Sequence, residues 1–241
     1  MVSDGTIALS EKDIISIKIE DAFKKEGCSI CTLIKEGEYR YFDSLLYEFV
    51  NDQYVREGLR RSKGFCNYHA WRLLEVSNQI IGEGGAGIGI IYRDLLDSFK
   101  SDLERLRKTV PVMRGRALKA LGEKEELCPA CELSREFEKG YLSTFVEHLE
   151  EDKFRTAYQR SDGLCRPHLT KLLRLAKSDF LRDIILDVEL EKLRLLSFEL
   201  GEFDRRRDYR YANEPKGKEQ TSWARALKKH AGAKGMENAG R

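Results

Sequence analysis

Little in this sequence breaks a helix or spans a membrane. Only four prolines occur among 241 residues, so few helix interiors are interrupted. No run of about 18 apolar residues is present, and a membrane-spanning helix is not expected. The opening residues Met1-Val2-Ser3-Asp4-Gly5 lack a basic stretch followed by an apolar one, so no secretory signal is expected and the cytoplasm is the expected compartment. Thiols stay reduced there, and cysteines at ligand spacing read as metal ligands rather than disulfides. Convincing strand alternation is also lacking. Charge of one sign is not: charged residues make up 35% of the chain, with a net charge of +2. Between Asp204 and Arg241 stand 11 Lys/Arg against 5 Asp/Glu, so a basic tail follows a mildly acidic body.

Cysteine and histidine are scarce but ordered. All six cysteines fall into one duplicated pattern, Cys28-Ser-Ile-Cys31 with Cys66-Asn-Tyr-His69, then Cys128-Pro-Ala-Cys131 with Cys165-Arg-Pro-His168. Each CxxC and CxxH places two donors on one side of a turn or helix start. Three Cys and one His suit tetrahedral Zn²⁺ and fill its four positions, which points to a closed structural centre. Read in tandem order, Cys28, Cys31, Cys66 and His69 form one site, and Cys128, Cys131, Cys165 and His168 the other. Two zinc ions are expected, with an iron–sulfur cluster as the alternative cofactor. Haem attachment is excluded because Thr32 and Glu132, not His, follow the CxxC pairs. A Glu-x-x-His di-iron pattern is absent, since Cys66, Phe145 and Cys165 stand three residues before His69, His148 and His168. No enzymatic centre is expected.

The repeat extends beyond the ligands. A shift of 100 residues superposes Glu36, Glu38 and Tyr41 on Glu136, Glu138 and Tyr141, and the apolar set Phe42, Leu45, Leu46, Phe49 on Leu142, Phe145, Val146, Leu149. That spacing is one face of an α-helix. Asp52 then matches Asp152 as an N-cap, and one extra residue near Ser62 restores register between Ser62-Lys63-Gly64 and Ser161-Asp162-Gly163. A third helix follows each CxxH, through Trp71, Leu73, Leu74 and through Leu169, Leu172, Leu173. The fourth carries Leu96, Phe99, Leu103, Leu106 in one copy and Leu181, Ile184, Ile185, Val188 in the other, continued by Leu195 and Leu196. The expected fold is all-α: two tandem units of about four helices each, related by a pseudo-twofold, each closed by a Cys3His site. The expected division is 1–110, 111–203 and a tail at 204–241, docked in part and disordered in part. Ile7, Ile14, Ile15, Ile17 and Phe23 suggest an additional N-terminal helix.

The remaining signals are weaker. Gly82 to Gly89 contains a literal G-x-G-x-x-G, but helical neighbours make it an interhelical hinge rather than a dinucleotide loop. His148 and His230 read as surface residues. Glu36, Glu38, Glu136 and Glu138 are either partners of the ligands or an exposed helix face. In the tail, Arg205, Arg206, Arg207 and Arg210 interleave with Tyr209 and Tyr211, a composition that could bind phosphates and stack on bases of an RNA or a DNA. The alternative is that Tyr209, Tyr211 and Trp223 dock the tail on the helical body.

The chain resembles a family of uncharacterised prokaryotic proteins known as a domain of unknown function. The resemblance rests on the two CxxC pairs, Gly64-Phe65-Cys66-Asn67-Tyr68-His69-Ala70-Trp71, Ile91-Tyr92-Arg93-Asp94-Leu95-Leu96, Gly163-Leu164-Cys165-Arg166-Pro167-His168, and Asp208-Tyr209-Arg210-Tyr211 through Glu214-Pro215 to Ser222-Trp223. It implies that the tail belongs to the fold, and it brings no activity. The expected function is that of a metal-binding cytoplasmic protein, acting as a binding or scaffold protein for a protein or RNA partner through its tail. An iron–sulfur redox or electron-transfer role and nucleic-acid binding are the alternatives.

Overall fold

The computed structural model describes residues 11–80, 84–123, 126–211 and 213–235. Ile7, Gly82, Glu83 and Ala212 lie outside the described residues, as do residues 236–241 of the tail. The described residues form eleven α-helices and no strand. The four helices of the first copy are α2 (Ser29–Ser44), α3 (Gln53–Arg61), α4 (Asn67–Ser77) and α5 (Gly84–Lys108). Those of the second are α7 (Pro129–His148), α8 (Asp152–Arg160), α9 (Arg166–Leu175) and α10 (Asp179–Arg205). Outside these two sets of four stand α1 (Glu11–Phe23), α6 (Pro111–Gly122) and α11 (Ser222–Ala231).

The extra residue of the first copy sits earlier than the sequence alignment suggests. A π-turn at Leu45–Phe49 continues α2, whereas α7 stays regular through His148. A π-turn absorbs an added residue without ending the helix. From there on the offset between copies is 99. Asp52, the N-cap of α3, accepts from Val55 N at 2.9 Å and corresponds to Glu151, the N-cap of α8. Asp152 is therefore the first residue of its helix and not the cap.

Two compact units arise, and neither follows the tandem order. One joins residues 11–35 to 137–235, and the other is made of the described residues of 36–136. Both division points fall inside helices, α2 and α7. The expected cuts near 110 and 203 fail to mark compact bodies because each CxxC packs with the other copy's helices. In the first unit, Phe23 of α1 meets Phe145 of α7 and Phe154 of α8 edge-on at centroid distances of 5.5 and 5.3 Å. Leu142, Val146, Leu149, Tyr158, Leu172, Leu181, Ile185 and Val188 complete that core. In the second unit, Phe42, Leu45, Leu46, Leu59, Phe65, Leu73, Val76 and Ile91 are buried together. Several expected core positions are exposed instead: Leu96, Phe99 and Leu103 on α5, Trp71 on α4, Phe49, and Leu195 on α10. The buried edge of α5 is shifted to Ile91, with Ile88, Tyr92 and Leu95 against it.

The glycines at 84–89 are helical, not a hinge. A Cβ on Gly87 would stand 2.9 Å from Leu46 Cδ2 and 3.1 Å from the Leu46 carbonyl oxygen. Glycine there lets the start of α5 close on the π-turn.

A fifth helix completes each copy. The stretch expected to be a plain link contains α6, which packs on α5, and α11 packs on α10. Both carry the same tetrapeptide, Arg116-Ala117-Leu118-Lys119 and Arg225-Ala226-Leu227-Lys228. Both end at the same turn of the repeat. Lys63 Nζ donates to the Ala120 and Leu121 carbonyls at the end of α6, at 2.8 and 2.6 Å. In the other unit Lys229 Nζ of α11 donates to the Asp162 carbonyl at 3.0 Å.

Candidate metal centres

The eight metal-ligand candidates converge in two groups of four, but not in tandem order. Cys28 and Cys31 meet Cys165 and His168, while Cys128 and Cys131 meet Cys66 and His69. Each CxxC is thus completed by the CxxH of the other copy, and the expected within-copy quartets are incorrect. Each quartet lies within one compact unit: Cys28, Cys31, Cys165 and His168 in the first, Cys66, His69, Cys128 and Cys131 in the second.

Helix starts position every donor. Cys66 is the N-cap of α4 and Cys165 the N-cap of α9, with His69 and His168 in the following turns. Cys28 and Cys128 stand just before α2 and α7, and their carbonyls accept from Thr32 N and Glu132 N at 3.1 Å each. The positive end of a helix dipole favours thiolate at such positions, although without metal the hydrogen bonds of Cys165 to Cys28 and Cys31 keep its proton in place. Gly64 and Gly163 turn the chain into the CxxH with φ of 85° and 74°, a conformation that strains residues bearing a Cβ.

At the first site, His168 Nδ1 lies 3.3, 3.4 and 3.1 Å from the sulfurs of Cys28, Cys31 and Cys165. Cys31 and Cys165 sulfurs are 3.7 Å apart. At the second, His69 Nδ1 lies 3.3, 3.6 and 3.3 Å from Cys66, Cys128 and Cys131, and the Cys66 and Cys131 sulfurs are 3.6 Å apart. All four donors of each group lie within 4.8 Å of one another, and no cysteine is in a disulfide. Either group could hold a metal ion.

The opposite ring nitrogen of each histidine meets a carboxylate. His69 Nε2 lies 3.2 Å from Glu38 and His168 Nε2 lies 3.0 Å from Glu138. Glu38 and Glu138 are therefore the ligand partners, and they fix Nδ1 as the nitrogen that faces the thiols. Sequence reasoning missed the groups around them. Glu38 is buried and also accepts from Ser134 Oγ at 2.9 Å and Tyr68 OH at 3.2 Å. Glu138 accepts instead from Lys171 Nζ at 2.6 Å. No shared motif marks these groups, because Tyr68 and Ser134 align with Pro167 and Ile34.

Charge in the metal-free quartets follows from this packing. Burial opposes the imidazolium of His69, but hydrogen bonds to Cys128 and Glu38 outweigh it and push its pKa up to about 10. His168, opposed by burial and held by Cys28, Cys31 and Glu138, is pushed up to about 11. Hydrogen bonding from Cys131 brings Cys128 down to about 3, against its burial. Cys131, donating to Cys128, and Cys165, donating to Cys28 and Cys31, are raised and keep their protons. Each group without metal is an imidazolium–thiolate cluster.

The tail residues are held differently from either expected reading. Arg205 bonds Glu202 and Glu214 and stacks over the Tyr211 ring at 4.4 Å. Arg206 donates to Glu219 Oε1 at 2.8 Å, and Arg210 to Asp208 at 2.6 Å. Arg207 is exposed, 3.9 Å from Asp204. Tyr209 and Trp223 are exposed rather than docked. What anchors the tail is polar: Arg225 on Glu199 at 2.6 Å, and Lys229 on the buried Glu189 at 2.7 Å. Glu189 also accepts from Tyr158 OH and Leu164 N, both at 2.6 Å. His148 pairs with Glu151 at 2.6 Å, and His230 contacts Arg166 at 3.0 Å.

Residues 10–237 match the family of unknown function DUF6062. The chain belongs to that family. It is also similar to an uncharacterized 23.9 kDa protein in the xynA 3′ region of Caldicellulosiruptor sp. (strain Rt8B.4), at 29% identity over 194 residues, covering 78% of this chain and 86% of the relative. No solved structure matches the chain. No described helix is long and apolar enough to cross a membrane.

Proposed function

We propose that this chain is a cytoplasmic zinc protein, with one Zn²⁺ in each crossed quartet, that works as a scaffold for a partner macromolecule and not as a catalyst. The supporting observation is the donor spacing. A tetrahedron with bonds of about 2.3 Å to sulfur and about 2.0–2.1 Å to nitrogen has S···S edges of about 3.8 Å and S···N edges of about 3.6 Å. One S···S distance in each quartet is 3.7 or 3.6 Å, S···N distances run from 3.1 to 3.6 Å, and all four donors lie within 4.8 Å of one another. An iron–sulfur cluster spreads its ligands over several irons and needs a wider cage. Three thiolates and an imidazole leave a single ion no open position, which favours a structural role. A partner protein is favoured over RNA. Arg205 and Arg206 are committed to carboxylates, while large apolar side chains stand exposed on α5, α6, α10 and α11, among them Val112, Phe198 and Leu227. Exposed apolar side chains suit burial against a protein better than contact with a phosphate backbone.

Anaerobic purification, elemental analysis and a visible spectrum test the metal. Two zinc ions per chain with no visible absorbance are expected. Iron with sulfide would overturn the assignment, and iron without sulfide would overturn zinc alone.

A further inference from the structure

We infer that α11 and the turn after it form a removable cover over the Cys28–Cys31–Cys165–His168 site, which makes that site the exchangeable one of the two. This rests on the zinc reading above and adds to it an asymmetry between the sites.

Besides the Arg225–Glu199 pair described above, Ala233, Lys229 and His230 hold the cover at the site itself. Ala233 N donates to Cys31 Sγ at 3.5 Å, a backbone hydrogen bond that reaches a ligand from outside the quartet. Lys229 reaches in beside the Cys165 turn, to Glu189 Oε2 at 2.7 Å and the Asp162 carbonyl at 3.0 Å. His230 contacts Arg166, the residue after Cys165, at 3.0 Å. Gly163 is shaped for this arrangement, since a Cβ there would stand 2.8 Å from Lys229 Nζ and 2.6 Å from Glu189 Oε1. The cover does not seal the site. A cleft remains between Gly27, Cys28 and Cys31 on one side and Leu227, Lys228 and Ala233 on the other.

At the other site the equivalent helix leads directly into a ligand. After α6 the chain runs on through residues 123–127 into Cys128 itself. Cys28 and Cys31 lie far upstream of α11 in the chain, so α11 can lift without drawing them along once its polar contacts and its packing on α9 and α10 give way. Local opening of this kind costs less than unfolding the unit. A ligand sulfur relieved of its N–H donor and opened to water is open to attack by a chelator or an acceptor thiol.

The test uses the full-length chain. Loaded protein is challenged with excess EDTA in the presence of N-ethylmaleimide, and peptide mass spectrometry reads the labelling rate of each cysteine. Lys229→Met should speed labelling of Cys28, Cys31 and Cys165 by at least about tenfold, the effect of weakening the cover by about 1.4 kcal/mol. Cys66, Cys128 and Cys131 should keep their rates. Ala233→Pro, which removes the N–H donor beyond α11 and fixes φ at that residue, should act in the same direction without lowering the melting temperature. Equal acceleration of all six cysteines by Ala233→Pro, or no acceleration in either variant, would overturn the cover. If the protein carries no zinc, the metal assignment falls separately. The same labelling series on the metal-free chain still reads the cover, through selective exposure of Cys28 and Cys31.

Discussion

Metal counting in paired cysteine variants tests the crossed wiring directly. Cys31 and Cys165 lie 134 residues apart in sequence with sulfurs 3.7 Å apart, and Cys66 and Cys131 have sulfurs 3.6 Å apart in the other quartet. Replacing Cys31 by serine should lower zinc from two per chain to one. Adding Cys165→Ser should lower it no further, since that site is already lost. Adding Cys66→Ser instead should remove the second ion. Stability should follow the same pattern. A structural zinc site is worth roughly 10–16 kcal/mol of apparent binding energy. What reaches the folding equilibrium depends on free metal: at about 1,000 times the dissociation constant, one site adds about 4 kcal/mol. In urea titrations at that free zinc, C31S and C31S/C165S should each lie about 4 kcal/mol below wild type in the first unit. C31S/C66S should lose a similar amount in both units. Elemental analysis per chain and urea unfolding read the two quantities. If C31S/C66S retained one zinc while C31S/C165S retained none, the wiring would be tandem and the crossed assignment wrong.

Glu138→Gln and Glu38→Gln should each weaken zinc at one site by about 10- to 100-fold, the usual effect of losing a histidine's carboxylate partner, as read by competition with a chromophoric chelator. The sites should also be acid-labile. Without metal His69, Cys131, His168 and Cys165 hold their protons at neutral pH, so each zinc must displace at least two, one from His and one from Cys. Affinity then rises with pH and falls in acid, by about a hundredfold per pH unit for two protons. Fewer than two protons released per zinc at pH 7 in weakly buffered titrations would contradict the imidazolium–thiolate picture. Gly163→Ala should destabilise the first unit by more than Gly27→Ala. Both positions have positive φ, which costs an alanine about 1–2 kcal/mol, but only Gly163 lacks room, with Glu189 Oε1 2.6 Å from the new Cβ. Equal losses in urea denaturation would remove packing from that argument.

The helices were legible because apolar period and cap residues repeat between copies, and Asp52 caps its helix as its side chain suggests. The eight ligand candidates were legible from spacing alone. Their pairing was not, since Cys28-x-x-Cys31 has equal chemistry toward either CxxH and only the course of α2 decides. The π-turn hid itself for a related reason: Asp52 and Asp152 are the same residue type at the round offset of 100, while the caps are Asp52 and Glu151. The stripe Leu96, Phe99, Leu103 has helical spacing but faces solvent, because periodicity marks an apolar face without saying whether anything covers it. The fifth helix had a signal in Arg-Ala-Leu-Lys at 116–119 and 225–228, masked by the longer α10 and the turns after it.

Cys31 and Glu38 stand on one helix, yet Cys31 serves the first quartet and Glu38 the histidine of the second. Cys131 and Glu138 repeat this in the opposite sense on α7. The two copies are thus read in cyclic order, each beginning with cysteines that finish its predecessor, and the end of the last helix returns to the cysteines of the first. A circular permutant in which a linker carries the chain from α11 into Cys28, and which opens between α6 and Cys128, would keep every ligand set intact, and it would make α6 the cover that can lift from its metal.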